Sequence, residues 1–416
     1  MTVSAGTRRI LAVALPSLVA VSACTASDDG ATIVPGTDPS PTSPTSTAPP
    51  TAMSTTSTTS TTSTSVSPSR TYDFSEIGPI VQQVVDEQGL NGAGLVIVER
   101  DDGIVHEEYW GEFDADRVSL VASASKMIVA GVLMRLDDRG LLDVDAPVAD
   151  AVDWGSGNPD ITPAQLLSNS SGLVGLGPNP AFPPYLCQFL PEGDLEDCAT
   201  TIFTTTADDA DVIAPDTEYR YGGGQWQVAG GVAEAVSGSS WADLVEETYV
   251  EPCGVDSLGF GNHWTQFRSL GFDYPPEFAG DPSTLADTAN PNMEGGAYIT
   301  APDYARLLLM HLRDGRCDDR QVLSPGALER MHADRIGEVY GGSSGGDGGY
   351  GLGWLVDRET GLLTDPGAYG AVTWLDLDDG HGAYLVVEAD VGTGVALAES
   401  LAGPVAEAVA AARAGS

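Results

Sequence analysis

Lys126 is the single lysine in a chain that otherwise meets every need for positive charge with arginine, seventeen of them. A guanidinium stays charged at any ordinary pH, whereas a lysine amine can be desolvated, lose its proton and act as a base. Drift alone would also leave one lysine, so the neighbours decide what it means. Ser123 stands three residues earlier, in Ser123-Ala124-Ser125-Lys126, at the head of a segment with Ile128, Val129, Val132, Leu133 and Leu136 at helical spacing. Positions i and i+3 share a helix face, so the hydroxyl and the amine can come within hydrogen-bond reach. A serine is a poor nucleophile until a neighbour takes its proton. The start of a helix also offers backbone N–H groups where an oxyanion would form. The spacing alone is common, and Ser125 in the same turn could simply cap or pack.

The elements that would carry this pair follow an α+β pattern. A helix is expected from about Phe74 to Gln88, then strands Ala93 to Arg100 and Ile104 to Gly111 joined by Asp101-Asp102-Gly103. The Ser123 helix ends at Arg139-Gly140, and the middle of the chain reads as helix and loop. Strands are expected again at Gly351 to Asp357, Ala371 to Leu377 and Ala383 to Glu388, with a closing helix from Leu401 to Ala412. Strands at both ends around a helical middle predict one sheet shared by the two ends.

Residues 1–24 read as an export signal: Arg8 and Arg9, an apolar run from Ile10 to Val21 too short to span a bilayer, and small residues after it. Val21-Ser22-Ala23-Cys24 has the form of a bacterial lipobox, with Cys24 as the lipidated residue, which predicts an extracytoplasmic protein tied to the membrane through a lipid anchor only. Residues 25–70 form a Ser/Thr/Pro-rich tether; 25 of the 30 residues from 41 to 70 are of these types, too few apolar groups to offset ordering entropy. The globular body is 71–416. Its acidity, which dominates a formal net charge of -42, excludes nucleic acid as a partner, since a duplex demands a basic surface. The partner left is a small-molecule or peptide substrate, and the oligomeric state stays open. Four cysteines in the body, Cys187, Cys198, Cys253 and Cys317, allow three disulfide connectivities, of which Cys187–Cys198 within a Pro-rich loop and Cys253–Cys317 are favoured. No Cys-x-x-Cys or paired-His spacing accompanies them, so neither metal nor cofactor is expected.

Five blocks resemble, in order, the serine β-lactamase/penicillin-binding-protein superfamily in its class C-like branch. Val121 to Val148 resembles the active-site helix, and Ile161 to Leu173 resembles the block written "LLsHtSGL". Pro215 to Gly224 resembles the segment with the Tyr-x-Asn motif, Gly351-Leu352-Gly353-Trp354 the "GlGW" block, and Asp365-Pro366-Gly367-Ala368 the third motif. The resemblance implies a β-lactamase/DD-peptidase-like fold, an antiparallel sheet flanked by helices with a helical subdomain. It also implies Ser123 as nucleophile, Lys126 as proton acceptor, Tyr221 as partner base and leaving-group acid, and the N–H groups of Ser123 and Ala368 as oxyanion hole. Gly223, Asp365 and Gly367 would line the substrate cleft. Gly223 stands where the motif has Asn, Asp365 where it has Lys or His, and Asn169 where the second block has His. An acidic residue at 365 should repel a substrate carboxylate, so esters, amides or peptides lacking one fit best. The activities implied are an esterase-like serine hydrolase or, alternatively, a D-Ala-D-Ala carboxypeptidase, a β-lactamase, or a catalytically weak penicillin-recognising lipoprotein.

Other features carry less. Gly341-Gly342-Ser343-Ser344-Gly345 matches Gly-x-Ser-x-Gly but lacks the strand and helix an elbow needs. His106 and His381 are expected at strand ends or turns, His381 in a hairpin turn, while His263, His311 and His332 are scattered.

Overall fold

The structure, a computed structural model, describes residues 70–177, 181–267, 273–337 and 348–415. Cys24, the tether up to residue 69, and Gly341 to Gly345 lie outside the described residues.

Helix α1 (Ile77–Gln88) ends at Gly89, whose φ of 65° is the left-handed conformation that glycine adopts at little cost. Strands β1 (Gly92–Glu99) and β2 (Gly103–Gly111) follow as an antiparallel hairpin. At the far end of the chain come β8 (Gly348–Tyr350), β9 (Leu355–Asp357), β10 (Leu363–Pro366), β11 (Ala371–Asp376) and β12 (His381–Val386). All seven join in one antiparallel sheet of order β2-β1-β12-β11-β10-β9-β8, with Gly94 opposite Val386 and Glu99 opposite His381. The two ends of the chain therefore share a sheet, as the strand distribution predicts.

Alternation along β1 sorts its side chains between two layers. Ala93, Leu95 and Ile97 meet Val81 and Val85 of α1 and Leu397, Leu401 and Val405 of the last helix. Val96 and Val98 face the other way, into the core built around the Ser123 segment. That side holds α2 (Lys126–Asp138), α3 (Leu195–Thr204), α4 (Gly223–Ser237), α5 (Ala301–Leu312) and α6 (Pro325–His332). A small second sheet, β3 (Val118–Leu120), β4 (Gly259–Phe260) and β5 (Ala297–Thr300), runs in the order β3-β5-β4 and leads directly into the Ser123 turn. The short pair β6 (Arg316–Cys317) and β7 (Arg320–Gln321) holds one half of a disulfide. The disulfides are Cys187–Cys198 and Cys253–Cys317.

Four local expectations change. The stretch expected as one strand from Gly351 to Asp357 is strand only from Leu355, because Gly353 takes a φ of 81° and turns the chain. The closing helix α7 (Val391–Ala414) starts ten residues early, capped where the Asp390 side chain accepts from Thr393 N–H at 3.1 Å; Gly392 and Gly394 dilute the helical pattern of its first turns. Its length and apolarity would suffice to cross a membrane, yet Leu397, Leu401, Val405 and Val409 are spent on the sheet. His381 opens β12 and is buried, the turn itself being made earlier around Gly380 with φ 60°. His106 lies inside β2, not at its end.

Candidate active site

The reactive pair is built on a strained turn. Ala122 to Ser125 form a 3-10 turn that runs straight into α2, and Ala122 holds a φ of 47°, which a side chain adopts only when its surroundings compel it. The compulsion is visible in the hydrogen bonds. Ser125 Oγ donates to Ala122 O at 2.6 Å and accepts from Ala297 N at 3.0 Å, and Tyr304 Oη donates to Ala124 O at 2.7 Å. Ser125 is thus the structural serine of the turn, fully buried, while Ser123 alone between Val121 and Ala130 keeps partial exposure.

Lys126 Nζ lies 3.1 Å from Ser123 Oγ and donates to Glu294 O at 2.8 Å. The amine has no exposure and sits 4.6 Å from the centre of the Tyr221 ring. Burial lowers its pKa, and the nearby carboxyls of Glu294 and Asp365 oppose that without reversing it. The group required to accept a proton is therefore pushed toward the neutral form that can do so. Tyr221 hydrogen-bonds with Ser123; burial raises its pKa strongly, that hydrogen bond lowers it, and Glu294 and Asp365 raise it further. Burial is the largest of these influences, so the group is held as a neutral phenol.

Two blocks support this core from beneath. Asn169, with φ 55°, turns its Oδ1 to accept from Gln225 Nε2 at 2.9 Å and Trp226 Nε1 at 3.0 Å, locking the first turn of α4 that follows Tyr221. This position takes up donors from α4. Ser171 adds a hydrogen bond to Gln225 Oε1 at 2.8 Å. The glycine-tryptophan turn works by close approach: a Cβ on Gly353 would fall 2.8 Å from Lys126 O. At the edge of β10, a Cβ on Gly367 would run into Val121 O, so Ala368 is carried to the rim of the Ser123 turn.

Asp365 is not on the open side of this arrangement. It is 4% exposed and points inward, accepting from Met127 N at 3.4 Å, and burial raises its pKa well above the carboxylate range against the opposing effects of Lys126 and that N–H. Gly223 is buried at the first residue of α4, and the space where its side chain would go holds Gln188 Oε1 and Glu294 Oε1. Neither residue was singled out from the sequence. Gln188 comes from a 3-10 turn (Pro183–Phe189) beside the Cys187–Cys198 disulfide, and Glu294 from the loop before β5, and no local pattern marks either. The histidines stay away from the site except His263, whose Nε2 lies 3.2 Å from Tyr369 Oη and which burial keeps neutral, down to about 3. His311 and His332, scattered in sequence, meet at 2.9 Å between α5 and α6. Among the described residues no group of three or more His, Cys, Asp or Glu is placed to hold a metal.

The family model described as Beta-lactamase matches residues 79–414. The chain belongs to the Beta-lactamase family. Among relatives, "Penicillin-binding protein 4" of Amycolatopsis lactamdurans is 28% identical over 320 residues, covering 71% of this chain and 80% of that protein. "Esterase/beta-lactamase LipL" of Mycobacterium tuberculosis is 29% identical over 156 residues, 36% of this chain and 33% of the relative. Two solved structures share the fold. One is "EstCE1, a hydrolase with promiscuous acyltransferase activity", with a TM-score of 0.65, 21% identity and coverage of 81% and 98% of the two chains. The other is a penicillin-binding protein homolog from Caulobacter crescentus, with a TM-score of 0.61, 18% identity and coverage of 81% and 98%. The family thus agrees with the β-lactamase/penicillin-binding-protein resemblance and its α+β fold.

Proposed function

We propose that this chain is a serine hydrolase that works through an acyl-enzyme on ester, amide or peptide carbonyls, with esterase-like preference. The observation that carries the reading is the 3.1 Å contact between Ser123 Oγ and a fully buried amine whose pKa is lowered. Lys126 takes the Ser123 proton as Oγ bonds to the carbonyl carbon; the neutral Tyr221 phenol gives its proton to the leaving group as the bond to it breaks, and Lys126 restores that proton. Water then repeats the sequence on the acyl group. The N–H groups of Ser123 and Ala368 would hold the oxyanion.

Substrate preference follows from the surroundings of the turn. Trp264 approaches Gly295, itself against Ala122, and joins Phe189, Tyr369 and the partly buried Leu186 and Phe267 in one apolar cluster. Such a wall suits an apolar acyl group. A carboxylate-bearing substrate meets no cation at position 365. A D-Ala-D-Ala carboxypeptidase or β-lactamase activity is the second reading, favoured by the "Penicillin-binding protein 4" relative, which is matched over 80% of its length. The third is a catalytically weak penicillin-recognising lipoprotein. The placement follows from Cys24 and the tether: a lipid-anchored, extracytoplasmic domain, and the two disulfides support an oxidising compartment.

The test presents the protein and its Ser123→Ala variant with a short-chain nitrophenyl ester, a chromogenic β-lactam and a fluorophosphonate. Ester turnover and labelling that both vanish in the variant are expected. Rapid β-lactam hydrolysis would establish the second reading, and neither turnover nor labelling would leave the recognition protein.

A further inference from the structure

Helix α4 begins with a residue that has no side chain, and the volume beside it is not empty. A Cβ on Gly223 would collide with Gln188 Oε1 and Glu294 Oε1, so both oxygens converge on the point where that side chain would start. Both residues are buried, Gln188 at 3% exposure and Glu294 at 5%. Gln188 Oε1 has no hydrogen-bond partner among the described residues, although it is sealed from solvent. The Gln188 carboxamide and the Glu294 carboxyl together fill the space beside that point. With the carboxamide turned over, its N–H faces the Glu294 carboxylate, the charge state that favours the Lys126 ammonium.

The pair is held from outside. Asn262 and Asn292 donate to Gln188 O at 3.0 and 2.9 Å, Asn290 donates to Cys187 O at 2.9 Å, and the Cys187–Cys198 disulfide closes the turn onto α3. Glu294 touches Lys126 twice, through its backbone oxygen at 2.8 Å and its Oε2 at 3.9 Å.

We propose that Glu294, braced by Gln188, is the positioning residue for Lys126, occupying the place an Asn side chain would take at Gly223 and setting how readily the amine takes up a proton. It acts through Lys126, so the expected signature is in titration. The groups that face the Lys126 amine are the Ser123 hydroxyl, the Tyr221 phenol and the Glu294 and Asp365 carboxyls; of these, Glu294 and Asp365 favour the ammonium, Glu294 being the stronger influence. This inference rests on the serine-hydrolase reading for its importance, and its test does not.

Because the chain has one lysine, protein grown with lysine carrying 13C at Cε gives a single side-chain resonance whose shift titrates with Lys126. The full chain is compared with Glu294→Gln, which keeps size and hydrogen-bonding capacity. A midpoint lower by half a unit or more in Glu294→Gln is expected. An unmoved midpoint overturns the proposal, whatever the protein's activity. Glu294→Ala should slow fluorophosphonate labelling at least tenfold while remaining folded by circular dichroism, and adding Gly223→Asn to it should restore part of the rate. Labelling within threefold of the parent in Glu294→Ala would also overturn it. A parent that titrates as expected yet never labels at Ser123 would leave the positioning role standing and remove the hydrolase reading instead.

Discussion

Lys126 has no exposure and sits between two buried carboxyls, yet it touches the only partly exposed hydroxyl in its turn. Taking an ammonium out of water costs several kcal/mol unless it is well paired, so the neutral amine gains ground in this setting. Arginine at the same place would keep its charge and could not accept the serine proton. Lys126→Arg should therefore reduce kcat/KM for an ester by roughly 10²–10⁴-fold, the usual worth of a positioned base. Steady-state kinetics on folded protein decide it, and near-parent activity would remove the amine from proton transfer. Ser123, Lys126 and Tyr221 were readable from the chain because two lie one turn apart and the third sits in a recognisable segment. Glu294 and Gln188 were not, since each reaches the site only through tertiary packing of loops more than sixty residues from the Ser123 turn. Asp365 was legible as a substitution and not as a direction, because nothing local says that its carboxyl turns inward to Met127 N.

Among elements, the 3-10 turn that presents Ser123 depends on Ser125, whose hydroxyl joins that turn to β5 through Ala122 O and Ala297 N. Ser125→Ala leaves a buried N–H without its partner, which costs about 1–3 kcal/mol. Urea unfolding should show that loss, and fluorophosphonate labelling should slow as Ala122 relaxes from its left-handed φ. A variant as stable as the parent would mean that Tyr304 and the sheet hold the turn alone. The same scale shows where periodicity fails as a guide. Leu352 and Trp354 alternate with glycines and read as strand, but Gly353 must pass close over Lys126 O and takes a left-handed turn to do so. The first turns of helix α7 are hidden in the sequence because Gly392 and Gly394 interrupt its pattern, while its apolar face against the sheet compensates for their low propensity. The sharing of one sheet by the two ends was legible because the strands there carry runs of Val, Ile, Leu and aromatic residues that a helical middle could not pair.

Across the whole molecule, the acidic excess leaves several carboxyls partly buried, and stability should respond to pH through them. Glu234, at the end of α4, is raised from 4.5 to about 7 by burial, with Asp194 and Glu196 adding to it and the Trp241 N–H opposing. The folded state therefore holds this proton more tightly than the unfolded chain does. Its contribution is complete below pH 4.5 and is lost as the pH climbs to about 7. Glu234→Gln stays neutral and can still accept from Trp241 N, so its stability relative to the parent should rise across that window. Denaturant midpoints for both proteins at each end of the window test this, and parallel curves would refute it. The lone interior amine has a consequence of another kind. Among lysine side chains, the folded body exposes nothing to aldehydes that attack primary amines, so modification of Lys126 by such a reagent would report unfolded molecules.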